Sequence, residues 1–285
     1  MKIAVLSGKG GTGKTLVSVN LAAASDQAVY VDCDVEEPNG HLFFKPQNLE
    51  TEMVTIPTPQ VDESLCNGCR QCVDFCKFNA LAYIGTSLVI FEDICHSCGG
   101  CVTICPQKAL SEKKKEIGEV KKGTSDGVMV LSGMMNIGEA SGIPIIKKLL
   151  ETEGLDDSLA VIDCPPGSAC TVMESIKDAD YCILVAEPSI FGAHNLSLVV
   201  ELVRLFNKPH GVILNKCLDG KNPSEEYCKE NGLHIIGSLS YDKELGMMNA
   251  IGLIAVRESQ QYREVFTGLL QAVVEEAGHE ATSNT

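Results

Sequence analysis

Lys2-Ile3-Ala4-Val5-Leu6-Ser7-Gly8-Lys9-Gly10-Gly11-Thr12-Gly13-Lys14-Thr15 decides the fold: an apolar run, a glycine loop and then a helix-compatible segment. The apolar run predicts a buried strand, and the residues from Lys14 to about Ala24 predict a helix. Glycines in the loop let backbone N–H groups curl around phosphate oxygens where side chains would obstruct them. The helix adds the positive end of its dipole. Gly8 through Thr15 satisfies the Walker A pattern in the strand–loop–helix setting that gives the pattern its meaning. Gly8, Gly10, Gly11, Thr12, Gly13, Lys14 and Thr15 are therefore the candidate ATP-binding residues. Lys14 is expected to neutralise the β- and γ-phosphates, and the Thr15 hydroxyl to ligate Mg²⁺.

Strand and helix alternate outward from this loop. A second strand is expected at residues 28–32, and alternation resumes near 128–131. Further apolar strands fall at 159–162, 181–186, 211–214 and 234–239, with helical stretches such as 193–206 and 223–231 between them. A last amphipathic helix is expected at 259–276, then a frayed tail at 279–285. Short buried strands separated by helices predict an α/β fold with a doubly wound, mainly parallel sheet. Two strands end in carboxylates, as Val31-Asp32-Cys33-Asp34 and Val161-Ile162-Asp163-Cys164-Pro165-Pro166-Gly167. Idle buried carboxylates are costly, so Asp32, Asp34 and Asp163 call for a role.

The middle of the chain is different. Residues 55–59 hold two prolines and read as an extended connector. The spacing Cys-x2-Cys-x2-Cys-x3-Cys then occurs twice, each time followed closely by Ala-Leu. The first copy is Cys66, Cys69, Cys72, Cys76, Ala80 and Leu81; the second is Cys95, Cys98, Cys101, Cys105, Ala109 and Leu110. Units this short cannot bury a core singly, so the copies should pack on each other around metal. This is the bacterial two-cluster ferredoxin spacing, in which the fourth cysteine of each run serves the other cluster. One 4Fe-4S cluster is thus assigned to Cys66, Cys69, Cys72 and Cys105, and a second to Cys95, Cys98, Cys101 and Cys76. Lys77 replaces the usual proline after the first run, which removes no ligand. Zinc is the competitor, because paired Cys-x2-Cys units also hold it; two identical four-cysteine runs favour cubanes. Residues 113–122, with five lysines and two glutamates, read as a solvated exit linker, with docking of an acidic partner as the alternative. The expected organisation is an ATPase domain at 1–58 and 113–278 with an α+β ferredoxin-like insert at 59–112.

A chain of 285 residues with a formal net charge of −15 is poorly suited to phosphate backbones or anionic membrane surfaces. No nucleic acid or membrane partner is expected. The N-terminal run lacks the features of a signal peptide, and no apolar stretch is long enough to span a bilayer, so a cytoplasmic location is expected. Fourteen cysteines in that compartment point to metal or redox work rather than disulfides. The six outside the repeat, Cys33, Cys164, Cys170, Cys182, Cys217 and Cys228, read mostly as small buried apolar residues.

With Lys9 added, the loop resembles the deviant Walker A of the MinD/ParA/Mrp/nitrogenase-iron-protein group. The resemblance covers nearly the whole chain and points to the MinD-superfamily ATPases that carry an inserted ferredoxin domain. It implies a homodimer with ATP at the interface, in which Lys9 reaches the partner's phosphates as an arginine finger does elsewhere. It further implies that Asp34 orients or deprotonates the attacking water, that Asp32 sits near Mg²⁺ and that Asp163 holds a Mg²⁺-bound water. Asn215, at the end of an apolar strand, falls where the family reads adenine, and its amide carries a donor and an acceptor for that edge. Catalytic roles therefore fall to Lys9, Lys14 and Asp34.

This sequence departs from some relatives. Cys170 follows Asp163 at the offset of a bridging-cluster ligand, but residues 132–142 contain no cysteine to complete such a site. The Cys-Pro-x-Cys pair of Mrp-type carriers is absent, and the acidic last helix lacks the basic face of a membrane anchor. The functions implied are an ATP-gated redox switch delivering electrons to a protein partner, or an assembly protein that matures an iron–sulfur or metal cofactor. A positional role like that of ParA has no use for redox clusters.

Overall fold

The computed structural model describes residues 1–25, 27–155 and 157–283. Strand β1 (Lys2–Leu6) leads through the glycine loop to α1 (Lys14–Ala23), β2 (Ala28–Asp32) and α2 (Gly40–Phe44). A long excursion follows: β3 (Gln47–Val61), α3 (Gln71–Phe75), β4 (Leu81–Ile84), β5 (Ser87–Ile90), α4 (Gly100–Thr103) and β6 (Leu110–Ser125). The alternation resumes with β7 (Val128–Met135), α5 (Ile143–Leu150), β8 (Leu159–Asp163), α6 (Cys170–Ile176), β9 (Tyr181–Ala186) and α7 (Ile190–Leu205). It closes with β10 (His210–Cys217), α8 (Pro223–Glu230), β11 (Ile235–Ser240), α9 (Lys243–Ala250), α10 (Ala255–Glu258) and α11 (Gln260–Ser283). Helix α11 thus runs into the stretch expected as a frayed tail, and Asn284 and Thr285 lie outside the described residues. Among the described residues no helix is long and apolar enough to cross a membrane.

Nine strands form one sheet in the order β11-β10-β9-β1-β8-β2-β7-β6-β3. All neighbours from β11 to β7 are parallel; β6 and β3 are antiparallel additions at one edge. Alternate residues of the central strands feed two cores, as the two-residue period of a strand requires. Ala4, Leu6, Val29, Val31, Ala160 and Ile162 face one side, with residues of α5, α6 and α7. Ile3, Val5, Tyr30, Val161 and Ile183 face the other, under α1, α10 and α11. Both faces are covered, so the α/β, doubly wound, mainly parallel expectation holds. Central β1 lies between β8 and β9, while the chain crosses over to place β2 beyond β8. Ligands in open α/β sheets bind at such a reversal, outside the carboxyl ends of the strands.

Two stretches read as linkers are strands. Residues 55–59 lie in β3 and 113–122 lie in β6, paired antiparallel from Gln47↔Thr124 to Val61↔Leu110. The prolines Pro57 and Pro59 are tolerated because β3 is the edge strand, where a missing N–H breaks no ladder. The lysine run holds as a strand because its charges have partners and one of its residues has a core. Ile117 is buried, Lys113 pairs with Glu92, and Lys115 pairs with Asp93 and Glu139.

The ribbon fixes where the excursion goes. β7 runs parallel to β2 and ends at the same sheet edge as Asp32. β6 runs back against it with Gly118 opposite Met135, so residues 110–117 project past that edge. The ribbon tip therefore rises on the side of the glycine loop. It carries a separate β4–β5 hairpin and a small core that includes Cys72, Ala80, Leu81, Cys101 and Leu110. Ala80 and Ala109, equivalent in the two repeat copies, are both buried.

Candidate functional site

The glycine loop is shaped by close approaches. Gly13 has φ +95°, and a Cβ there would lie 2.0 Å from Asn215 Nδ2. Asn215 Nδ2 donates to Thr12 O at 2.8 Å, its Oδ1 accepts from Lys216 N at 2.9 Å, and Lys216 Nζ donates to Gly11 O at 2.6 Å. These contacts hold the loop open over a cavity of about 790 Å³, within the usual range for a small-molecule site. Its walls include Gly10, Gly11, Gly13, Lys14, Thr15, Asp34, Pro166, Asn215 and Lys216, and further out Tyr241, Asp242 and Leu245. The Thr12 hydroxyl is buried with no partner among the described residues, which leaves it to a ligand.

Asp32 and Asp163 lie beneath the cavity, not in its wall. Lys14 Nζ is paired with Asp163 Oδ1, both side chains being nearly fully buried. Asp163 also accepts from Ser18 Oγ at 3.1 Å and from Tyr30 OH at 2.9 Å. Burial pulls the Lys14 pKa down, but Asp163, with Asp32 and Asp34 behind it, more than offsets this, so the ammonium is held firmly. Asp32 accepts the backbone N–H groups of Asp34, Asn39 and Gly40, at 3.2, 3.0 and 2.8 Å. Burial beside Asp163 raises its pKa nonetheless. Asp34 faces the cavity, and burial pushes it up to about 6 against the pull of Lys14.

Lys9 lies apart from the cavity wall: its Nζ donates to Glu187 Oε1 at 2.5 Å, and Ser189 Oγ donates to the same oxygen at 3.0 Å. The bond from Lys9 holds the Glu187 carboxyl below its ordinary range. Gly8 packs against α7, where a Cβ would meet Asn195 O at 2.1 Å. Sequence reasoning missed Tyr30, Glu187 and Lys216. The signal for Tyr30 was a tyrosine amid a fully buried strand, whose hydroxyl must find a partner.

The repeat cysteines gather around two cavities on the ribbon tip. Cys76, Cys95, Cys98 and Cys101 line one of about 330 Å³; Cys66, Cys69, Cys72 and Cys105 line a tighter one of about 20 Å³. Ala80 N–H donates to Cys76 Sγ at 3.4 Å and Ala109 N–H to Cys105 Sγ at 3.3 Å, the same bond in both repeat copies. Ser97 N–H donates to Cys95 Sγ at 3.5 Å. Burial raises the Cys72 thiol and pushes Cys101 up to about 11. Among the described residues no three His, Cys, Asp or Glu side chains converge on a single ion. Four thiols around a cavity, with amides aimed at sulfur, suit a cluster as a donor set; the larger cavity has the room for one, while the smaller has room for little more than a water, so its thiols must spread to take one. Of the other cysteines, Cys33, Cys164, Cys182 and Cys228 are buried, Cys217 is half-buried and Cys170 is exposed.

Comparison with known proteins agrees with this nucleotide-type cavity. The CobQ/CobB/MinD/ParA nucleotide binding domain matches residues 3–252, from β1 through the last cavity residues. The chain belongs to this family. An uncharacterized protein of Methanocaldococcus jannaschii is 32% identical over 76% of this chain and 78% of its own. An iron–sulfur cluster carrier protein of Methanococcus maripaludis is 23% identical over 96% of this chain and 86% of its own. Among solved structures, the cell division ATPase MinD of Pyrococcus furiosus aligns over 96% of this chain and 98% of its own, with a TM-score of 0.59 at 18% identity. The MinD-like fold is thus shared over nearly the full length.

Proposed function

We propose that this CobQ/CobB/MinD/ParA-family protein is an ATP-hydrolysing switch with two resident 4Fe-4S clusters, and that its nucleotide state governs electron transfer from them to a protein partner. One observation carries the reading. Two complete four-thiol sets within a single chain stand on a ribbon that rises from the nucleotide edge of the sheet.

The protein groups have separate tasks. The backbone N–H groups of residues 10–15 and the Lys14 ammonium, drawn off Asp163, hold the phosphates of ATP. Thr15 and Asp163 would hold Mg²⁺, which supplies charge neutralisation at the transferring phosphate. Asp34, with its pKa raised yet below neutrality, accepts a proton from or orients the attacking water. Asn215 keeps a second amide hydrogen and an Oδ1 lone pair for the adenine edge. The loop is read as a deviant Walker A: Lys9 leaves Glu187 to meet the phosphates of a second copy in a nucleotide-bridged homodimer. Cys66, Cys69, Cys72 and Cys105 hold one cluster, and Cys76, Cys95, Cys98 and Cys101 the other; each supplies a one-electron redox centre when bound.

The carrier names among the relatives favour a second reading, ATP-dependent delivery of an iron–sulfur or metal cofactor to a maturation partner. Anaerobically purified, dithionite-reduced protein separates the two. Under the first, oxidation by an excess of a one-electron dye changes rate with Mg-ATP while all iron stays on the chain. Under the second, Mg-ATP moves iron onto an apo-ferredoxin acceptor. Oxidation rates indifferent to nucleotide would remove the first reading.

A further inference from the structure

The two thiol sets differ in what they touch. The cavity around Cys66, Cys69, Cys72 and Cys105 is lined wholly by residues 61–110, and each set has one exposed cysteine, Cys69 here and Cys98 in the other. The other set is tied to the nucleotide-binding part. Its Cys95–Ser97 segment faces Glu139, Ala140 and Pro144 across a cavity of about 220 Å³. His96 stacks on Phe78 at 3.8 Å, so the segment also grips the loop that carries Cys76.

Residues 136–142, after β7, form the shared wall. Lys115 reaches Glu139 at 3.1 Å and Asp93 at 3.0 Å, bridging this loop to the start of the second cysteine run. Asn136 N–H bonds Ile117 O at 2.9 Å, fixing the loop to the ribbon. Both ends of the loop are also locked to the segment that follows Asp34. Met135 N–H donates to Val35 O at 2.8 Å, and a Cβ on Gly142 would lie 2.4 Å from Val35 Cγ2. Val35 is buried and adjoins the carboxylate that faces the nucleotide cavity. A shift of residues 34–40 on filling that cavity cannot be absorbed at Val35, because packed cores repack rather than deform smoothly.

We propose that the two thiol sets have different jobs. Residues 136–142, with Lys115 as the positioning residue, transmit nucleotide state to the Cys76/Cys95/Cys98/Cys101 set. The Cys66/Cys69/Cys72/Cys105 set stands outside that route. This rests on the function proposed above and adds a route to it.

Hydrogen–deuterium exchange of the anaerobic full-length holoprotein, with and without Mg-ATP, tests it on peptides covering residues 32–40, 64–72 and 93–101. Mg-ATP is expected to change exchange by about fivefold or more at 32–40 and 93–101, with 64–72 unmoved. Lys115→Met should retain the response at 32–40 and lose it at 93–101. Lys115→Arg should keep it, as should Lys121→Met, which removes a pair on the same strand. A response at 32–40 without one at 93–101, an equal response at 64–72, or an unchanged 93–101 response in Lys115→Met would each overturn the route. A chain without iron, or without any response at 32–40, would instead remove the proposed function, and the route with it.

Discussion

Replacing Lys14 with methionine should unfold the protein more easily as well as abolish ATP hydrolysis, and the size of that effect follows from the site. The Lys14 side chain is 7% exposed and that of Asp163 is 1%, so the substitution strands a carboxylate away from water. Breaking a buried pair from one side costs about 3–5 kcal/mol. Tyr30 OH and Ser18 Oγ still donate to Asp163, which places the cost near the lower limit, about 3 kcal/mol. At roughly 2–4 °C per kcal/mol for a domain of this size, the nucleotide-free midpoint should fall by about 6–12 °C. Thermal melts of wild type, Lys14→Met, Asp163→Asn and the double variant measure it. Neutralising Asp163 removes the stranded charge, so the double variant should lose less than the sum of the singles, by about 1 kcal/mol or more. Wild-type melting of Lys14→Met, or strict additivity, would refute the view that this pair is a buried, mutually dependent unit.

Three further outcomes are expected. Lys9→Ala should bind Mg-ATP normally, by calorimetry, but lose the part of the hydrolysis rate that rises with protein concentration; unaltered hydrolysis would exclude a role across a dimer. Because burial lifts Asp34 to about 6, its carboxylate form is lost as pH falls through that value. Hydrolysis should therefore drop about tenfold per pH unit below about 6, and Asp34→Asn should be inactive at every pH. Cys66→Ser should lose about half of the iron and of the 4Fe-4S absorbance, with ATP affinity unchanged, since one of two four-thiol sets is broken.

The nucleotide loop was legible because its signals are local: an apolar run, glycines at fixed offsets and a helix start all lie between Lys2 and Lys14. The grouping of Cys105 with Cys66, and of Cys76 with Cys95, was likewise open to reading from spacing. The ribbon was not. Nothing near Lys115 in sequence says that Asp93 and Glu139 will neutralise it, and a run of lysines without its distant partners reads as solvated chain. Prolines deepened the misreading at residues 55–59, since only the three-dimensional order of strands reveals that β3 is an edge. The contacts that separate Asp32 from Asp34 were hidden for a similar reason. Backbone amides of residues 34, 39 and 40 claim the first and leave the second facing the cavity, and that choice is made by a turn whose geometry no single residue announces.

The β3–β6 ribbon zips shut before the cysteine-bearing unit begins, with Val61 opposite Leu110. Entry and exit of the unit therefore lie side by side, and what ties the sheet to the unit beyond them is narrow: Lys113 and Lys115 on Glu92 and Asp93, and residues 95–97 against the loop after β7. A hairpin built this way works as a socket. Its contents can be lengthened or exchanged in the course of descent while the rest of the sheet keeps its shape, provided the few ties at Lys113 and Lys115 are met by other acids.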